Sequence, residues 1–242
     1  MSEFNRPNTA YAYGSGTTMK QYVRKVFLLM SGALAITAGT AALGYFSFMG
    51  QGIVYKTLVS FPFVAWLFLI AELGVAFAMS AGITRFSTGT CRILFFVYSF
   101  LTGLTFSFLP MAYGITTLFT AFLFAASLFV CCAIIGMTTN TDLTKFRGLL
   151  MGALLALVLM SVLSIFIPVL RNNLLLGYAG LFVFLGLTAY DMQKIKSFYY
   201  GTADGETIRA NLAVYGAFQL YLDFINIFLR ILSILGNRSS NN

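Results

Sequence analysis

The 242-residue sequence contains no histidine and only three cysteines. Without histidine, a zinc or haem site is not credible, because imidazole is the usual nitrogen ligand of both groups. Three cysteines, two of them adjacent, do not make a disulfide framework. The missing histidine also means that any response to pH near neutrality must come from carboxylates whose titration is displaced by their surroundings. We therefore expect no resident cofactor.

Charged residues are almost as scarce. Only 9% of the residues are charged and 59% are hydrophobic, whereas a soluble domain carries about 25% charged residues. The composition predicts a polytopic membrane protein with almost no soluble domain. We therefore expect the protein to be embedded in the lipid bilayer. The net charge of +8 includes no basic stripe interleaved with aromatic residues outside the membrane, so we expect no nucleic-acid binding.

Seven apolar runs are long enough to cross a bilayer, which takes about 20 residues in a helix. The runs cover residues 26–49, 58–81, 92–110, 115–137, 147–168, 173–192 and 211–234. The sequence therefore predicts an all-α integral membrane protein with seven transmembrane helices. The predicted organisation is a flexible N-terminal tail (1–25), a transmembrane domain (26–236) and a short C-terminal tail (237–242).

Lysine and arginine are distributed unevenly between the two sides of this bundle. The side that carries the N-terminus holds Arg6, Lys20, Arg24, Lys25, Arg85, Arg92, Lys145, Arg147, Lys194, Lys196 and Arg209. The opposite side holds Lys56, Arg171, Arg238 and the nearby Arg230. Basic residues concentrate in cytoplasmic loops, so the N-terminus is predicted in the cytoplasm and the C-terminus outside.

Small residues recur every four positions in several spans. They are Gly148, Gly152 and Ala156, then Gly74, Ala78 and Gly82. Small residues at this spacing let helix backbones approach closely. We interpret them as packing positions within one bundle rather than as a dimer seam, and we expect a monomer.

Two aspartates, Asp191 and Asp223, lie in or at the edge of the last two apolar runs. A carboxylate in that setting costs about 2.5–3.5 kcal/mol or more, so it is rare and usually functional. The two runs are antiparallel neighbours joined by one loop, which places the aspartates at similar depth. Two adjacent carboxylates resist double ionisation and titrate as a unit. Their oxygens also suit a hard cation such as Ca²⁺.

The seventh span has one polar face. Gln219, Asp223, Asn226 and Arg230 follow each other at spacings of four, three and four, which brings them to one side of a helix. A polar stripe facing lipid would be costly, so this helix is predicted to be central in the bundle. Glu72, in the second span, is the expected partner of Arg230 in a buried ion pair.

Two C-terminal segments carry a resemblance. They read LTAYDMQKIK at 187–196 and LYLDFINIFLRIL at 220–232, with weaker support from YSFLTGLTFS at 98–107. On these segments the chain resembles the transmembrane Bax inhibitor motif family, most closely its bacterial members, over essentially its whole length. The resemblance implies a seven-helix fold with the last helix enclosed by the others, in a bacterial inner membrane.

For that family, the resemblance implies an aspartate pair that acts as a proton-sensitive latch on a calcium leak. Carried over by position, the pair is Asp191 and Asp223, and the latch arginine is Arg85. Glu72 and Arg230 would match a further buried ion pair. The predicted function is thus a pH-sensitive Ca²⁺ leak channel, with Ca²⁺ and H⁺ as its ligands.

Three other functions remain open. An intramembrane aspartyl protease would also use paired aspartates, but the segment LYLD lacks a glycine-flanked aspartate, so we expect no enzyme. A proton-coupled transporter for a small solute usually has broken helices, whereas Pro110 and Pro168 lie at span ends. A regulatory partner of another membrane protein, such as a quality-control protease, could use the N-terminal tail.

Overall fold

A computed structural model describes residues 18–52, 56, 60, 63–83, 85–167, 174–201 and 206–239. In this part of the chain, all regular structure is helical. The long helices are α1 (Met19–Met49), α2 (Phe63–Gly82), α3 (Thr88–Phe106), α4 (Ile115–Thr138), α5 (Arg147–Phe166), α6 (Leu174–Gly201) and α7 (Glu206–Ser239). A short helix, Leu109–Tyr113, precedes α4, and a 3₁₀ turn, Leu143–Phe146, precedes α5. The protein is an all-α integral membrane protein, as predicted.

The ends of the helices differ from the limits set by hydropathy. Helix α1 begins at Met19 because Thr18 and Gln21 form a capping box. The backbone N–H of Gln21 donates to Thr18 Oγ1 at 3.3 Å, and the backbone N–H of Thr18 donates to the side-chain Oε1 of Gln21 at 2.9 Å. Residues 19–25, predicted as tail, are therefore helical. Residues 237–239, also predicted as tail, belong to α7. Residues 1–17 and 240–242 lie outside the described residues.

Successive helices run in opposite directions, so their ends collect at two faces of the bundle. At one face, Tyr22 at the start of α1 lies beside Tyr199 near the end of α6, with ring centroids 5.6 Å apart. At the other face, Ile234 of α7 packs against Gly177 near the start of α6. The face that carries Tyr22 is the one predicted to be cytoplasmic, and we call it the N-terminal face.

Helix α7 is the central helix. Buried residues make up 56% of its apolar segment, against 6–39% for the five other described helices that are long and apolar enough to cross a membrane. The apolar part of α2, Trp66–Gly82, is shorter and is not among these helices. It packs against α1, α3, α4 and α6, whereas α2 packs mainly on α3 and α5 mainly on α6. Helices α2 and α5 therefore form the lipid-facing periphery. The prediction of a central last helix is confirmed.

Aromatic rings and one threonine join α1, α3 and α7. Tyr221 of α7 lies edge-on to Phe95 of α3, with ring centroids 5.5 Å apart. Thr37 Oγ1 of α1 lies 2.9 Å from the Ser99 carbonyl oxygen and 2.7 Å from the Tyr221 hydroxyl. Because a carbonyl can only accept, Thr37 donates to Ser99 and Tyr221 donates to Thr37. The buried hydroxyls on this seam are thus satisfied.

Three of the repeated small residues do not mediate helix packing. A methyl group added at Gly74, Gly148 or Gly152 would meet no described atom within 4 Å. The close approaches lie elsewhere, at Gly103 between α1 and α3 and at Gly136 between α4 and α6. The packing interpretation of the four-residue repeats was wrong at these three glycines, because spacing alone does not reveal which side of a helix meets a neighbour.

Replacing Gly136 by alanine is expected to destabilise the bundle by about 1–3 kcal/mol, the usual cost of overpacking. The new methyl group would collide with the Ala189 carbonyl oxygen and lie 2.9 Å from Met192 Cβ. Because the carbonyl belongs to the backbone, α4 and α6 would have to separate. Thermal unfolding of the detergent-purified protein measures the loss.

The matched control is Gly152→Ala, where the methyl group meets no described atom within 4 Å. In a helix interior, alanine is favoured over glycine by about 0.8–1.0 kcal/mol. This variant should be at least as stable as the wild type. Equal stability of the two variants would contradict the close contact between α4 and α6.

Candidate functional site: a pair of aspartates between the last two helices

Asp191 of α6 and Asp223 of α7 meet where these two helices pack together. Both side chains are buried, with 8% and 5% of their surface exposed. The charge of Asp191 acts directly on Asp223. The structure therefore brings together the two aspartates that the sequence analysis paired. Their role as a gate stays a prediction.

One cation serves both carboxylates. Lys194, one turn after Asp191 on α6, acts electrostatically on Asp191 and on Asp223. Its ammonium nitrogen also lies 5.5 Å from the centre of the Phe198 ring and 5.6 Å from that of Tyr215. If both aspartates were ionised, the three groups would carry a net charge of −1. A proton or a cation would remove that deficit.

One oxygen of the Asp223 carboxyl lacks a hydrogen-bond donor among the described residues. Its Oδ2 atom is buried and accepts no hydrogen bond from the described residues. The Thr188 hydroxyl lies within hydrogen-bonding reach of Asp223, and it also lies 2.8 Å from the Phe184 carbonyl oxygen, to which it can donate instead. A hydroxyl has one proton and two lone pairs, so Thr188 can still accept from a protonated Asp223. An unsatisfied buried acceptor costs about 1–3 kcal/mol, and more when charged.

Gln219 and Asn226 flank Asp223 on α7. Oε1 of Gln219 is buried and has no hydrogen-bond partner among the described residues. The Asn226 amide donates to the Leu222 carbonyl oxygen of its own helix at 2.8 Å. Asn226 also lines a cavity of about 290 Å³ between α5, α6 and α7, together with Arg230. The polar face of α7 thus combines unpaired polar groups with internal space.

Glu72 and Arg230 do not form the predicted ion pair. Glu72 accepts a hydrogen bond from Thr105 of α3 at 2.5 Å. Arg230 instead packs against α6, where a methyl group on Gly180 would lie 2.7 Å from its Nε atom. The reason is the helix order: α2 packs mainly on α3, so its glutamate faces a threonine of that helix.

Arg85, the predicted latch, is exposed in the turn between α2 and α3. In the described part of the chain, it is not among the charged groups that act on the two aspartates. The latch role stays a prediction.

A residue that the sequence analysis missed holds this turn. The Asn211 amide, at the start of α7, donates to the carbonyl oxygens of Ile83 and Phe86 at 2.9 Å each. The Thr88 hydroxyl donates to Asn211 Oδ1 at 2.6 Å. Asn211 is buried, with 3% of its surface exposed. Helix α7, which carries Asp223, is therefore tied to the turn that carries Arg85.

The sequence held a signal for the partners of the aspartates. Thr188, Asp191 and Lys194 follow each other at intervals of three, so they share one face of α6. Asn211 had no such signal, because a single asparagine at a predicted span boundary resembles any loop residue.

A cation at the aspartate pair would be held loosely. Among the described residues, no group of three or more acidic or cysteine side chains could hold a metal ion. Ca²⁺ takes about 6–8 oxygen ligands, so two carboxylates would need neutral oxygens and water to complete its shell. Weak binding is a requirement for ions that pass through a pore, since they must also leave.

Similar proteins are found in several bacteria. The family model described as "Inhibitor of apoptosis-promoting Bax1" matches residues 19–240. The chain is 33% identical over 240 residues to the inner membrane protein YbhL of Escherichia coli, covering 98% of this chain and 100% of that protein. It is 34% identical over 220 residues to an uncharacterized protein of Rickettsia prowazekii, covering 91% of each. A protein of Borreliella burgdorferi is 33% identical over 221 residues, covering 91% of this chain and 94% of its own.

Proposed function

Because the chain belongs to the family of inhibitors of apoptosis-promoting Bax1, we propose that this membrane protein is a pH-sensitive leak channel for Ca²⁺, with no enzymatic activity. The observation that carries the proposal is the contact of two buried carboxylates where α6 meets the central helix, with Lys194 acting electrostatically on both. Such a group changes its charge with pH although the chain has no histidine.

In the proposed mechanism, the charge of the Asp191–Asp223 pair determines how α7 packs against α6. When the pair holds a proton, Asp223 can donate to Thr188 and the two helices stay joined. When the proton leaves, the carboxylates repel each other or bind a cation from water. A local charge change that biases one movable element is the minimum a switch requires. Arg85 is proposed to act as a latch in the state in which α7 has moved.

The proposed location is a bacterial inner membrane, with the N-terminal face in the cytoplasm. The Escherichia coli relative is named as an inner membrane protein, which supports the proposed location in that membrane. The predominance of lysine and arginine at the N-terminal face supports the orientation. Cysteine substitutions at exposed positions of each face, labelled from outside with a membrane-impermeant reagent, would test it.

The first experiment measures Ca²⁺ entry into proteoliposomes from about pH 5 to 8, with a fluorescent indicator inside. We expect flux above that of protein-free liposomes, with a rate that changes at least about ten-fold over this range, because the pair gains or loses one charge. Mg²⁺ and K⁺ in separate runs establish selectivity. Flux equal to that of protein-free liposomes at every pH would refute the leak.

A second function, a proton-coupled transporter for a small anionic solute, is favoured by one observation. The cavity of about 290 Å³ has a mainly apolar lining from α5, to which α7 adds Asn226 and Arg230, one to two helical turns from Asp223. An arginine and an amide beside a protonatable carboxylate suit an anion that travels with a proton. Transport of such a solute, driven by a pH gradient and without Ca²⁺ flux, would favour this alternative. A regulatory role through residues 1–17 concerns a segment outside the described residues.

A further inference from the structure

A second polar cavity lies at the N-terminal face, where α1 and α7 meet. Its volume is about 200 Å³, and it is lined by Tyr22, Lys25, Glu206, Arg209, Ala210 and Ala213. The aspartate pair does not use it, since Tyr22 and Arg209 belong to the first turns of α1 and α7. The cavity combines two basic side chains, one acidic side chain and a tyrosine.

Tyr22 is the unusual member of this group. Only 1% of its surface is exposed, and its hydroxyl is buried with no hydrogen-bond partner among the described residues. Its ring is fixed against that of Tyr199, with centroids 5.6 Å apart, and the Arg209 guanidinium lies 5.4 Å from the centre of the Tyr199 ring. A buried hydroxyl normally finds a partner. The Tyr22 hydroxyl is instead a buried donor with no acceptor among the described residues.

Arg92 of α3 extends the positive charge of this region. It acts electrostatically on Lys25, and its Nε atom is buried with no hydrogen-bond partner among the described residues. Two like charges are thus held near each other at the end of the bundle, at a cost in repulsion. Lys25, Arg92 and Arg209 contribute +3 and Glu206 contributes −1, which leaves a net charge of +2 around the cavity.

We propose that this cluster binds a phosphate group, either the headgroup of an anionic phospholipid or free phosphate. An anion in the cavity would accept a hydrogen bond from the Tyr22 hydroxyl, and its negative charge would relieve the repulsion between Lys25 and Arg92. Arginine is the preferred partner of phosphate because its planar donors match the oxygens. Basic pockets between transmembrane helices are known sites for lipid headgroups on the cytoplasmic side.

The proposal is tested by binding measured on the full-length protein in neutral detergent. Inorganic phosphate is titrated at constant ionic strength against chloride, and the shift in thermal unfolding temperature is recorded. In parallel, nanodiscs of phosphatidylcholine with increasing phosphatidylglycerol or cardiolipin are analysed by native mass spectrometry for retained lipid. Saturable stabilisation by phosphate identifies free phosphate as a ligand. Retention of anionic lipid without an effect of phosphate identifies the headgroup as the source.

The informative variant is Tyr22→Phe. Its hydroxyl makes no internal hydrogen bond, so its removal should leave the unfolding temperature of the ligand-free protein unchanged or higher. Affinity for the phosphate group should fall about ten-fold, the value of one hydrogen bond to a charged group. Arg92→Gln should weaken binding at least as much.

Lys145→Gln is the charge-matched control. Lys145 is exposed in the 3₁₀ turn before α5 and does not line the cavity. The Lys145→Gln variant should bind phosphate and anionic lipid with the affinity of the wild type. The proposal is overturned if neither phosphate nor anionic lipid binds saturably. It is also overturned if Lys145→Gln weakens binding as much as Tyr22→Phe and Arg92→Gln, because attraction would then reflect overall charge alone.

Discussion

The double variant Asp191→Asn/Asp223→Asn is expected to pass Ca²⁺ at one rate from about pH 5 to 8. Asparagine has nearly the size of aspartate but does not titrate, so the variant has no carboxylate left in the pair whose charge could change with pH. This result does not depend on whether the protonated state conducts. It requires only that the pair is the group that senses pH.

The expected effect is large because the carboxylates are buried. Two like charges about 5 Å apart repel by about 3 kcal/mol at an effective dielectric constant of 20, which corresponds to a factor of about one hundred in a two-state equilibrium. The measurement is the rate of indicator fluorescence in proteoliposomes at matched protein density. Each single variant keeps one titratable carboxylate and should show a weakened, displaced pH dependence.

Asp142→Asn provides the matched control. Asp142 lies in the loop between α4 and α5, outside the membrane-spanning segments, where the Thr144 hydroxyl donates to it at 2.6 Å and the Thr144 amide at 3.0 Å. These hydrogen bonds hold the pKa of the Asp142 carboxyl below its usual value, so it stays ionised across the whole range. Its replacement should leave the pH dependence intact. Retained pH dependence in the double variant would exclude the pair as the sensor.

Replacing Asn211 by alanine is expected to be the most destabilising change of a single polar side chain in the bundle. It removes both hydrogen bonds to the carbonyl oxygens of Ile83 and Phe86 and the acceptor of Thr88. At about 1 kcal/mol for each hydrogen bond, the loss is about 3 kcal/mol. The turn that carries Arg85 would also lose its attachment to α7.

Two measurements separate these effects. Thermal unfolding in detergent gives the loss of stability, and limited proteolysis at Arg85 gives the freedom of the turn. Asn226→Ala is the control, because within the described part of the chain the Asn226 side-chain amide donates only to the Leu222 carbonyl oxygen, one turn back on its own helix. That variant should be less destabilised and no more sensitive to protease than the wild type. If the two variants behaved alike, Asn211 would not be the attachment point.

Much of the fold could be predicted from the sequence because bilayer physics leaves few choices. Apolar runs of sufficient length predicted the seven helices, and the polar face of the last run predicted its central place. The depth of Asp191 and Asp223 on neighbouring antiparallel runs predicted that they would meet. Each inference rests on distance along one helix or across one loop, which the chain itself fixes.

The failures concern relations between helices that are distant in sequence. Glu72 and Arg230 were matched by charge, but hydropathy does not say which helices are neighbours, and α2 lies against α3. Gly148 and Gly152 have the spacing of a packing seam, but spacing does not reveal which side of α5 meets another helix. The start of α1 was placed too late because a capping box depends on Thr18 and Gln21, which are polar residues.

The burial of α7 has a consequence for how the protein is made. Helix α7 leaves the ribosome after the six other long helices, yet it contacts four of them. With α6 it has the lowest mean hydropathy of the six described helices that are long and apolar enough to cross a membrane. Insertion of an aspartate or arginine at the centre of a helix raises the free energy of membrane insertion by about 2.5–3.5 kcal/mol. Contacts with the helices already in the membrane must offset this cost. The first six helices therefore form an incomplete scaffold with Thr188 and Asp191 uncovered. The bundle therefore needs α7 to fill its centre, so chains truncated before this helix should be degraded rather than accumulate.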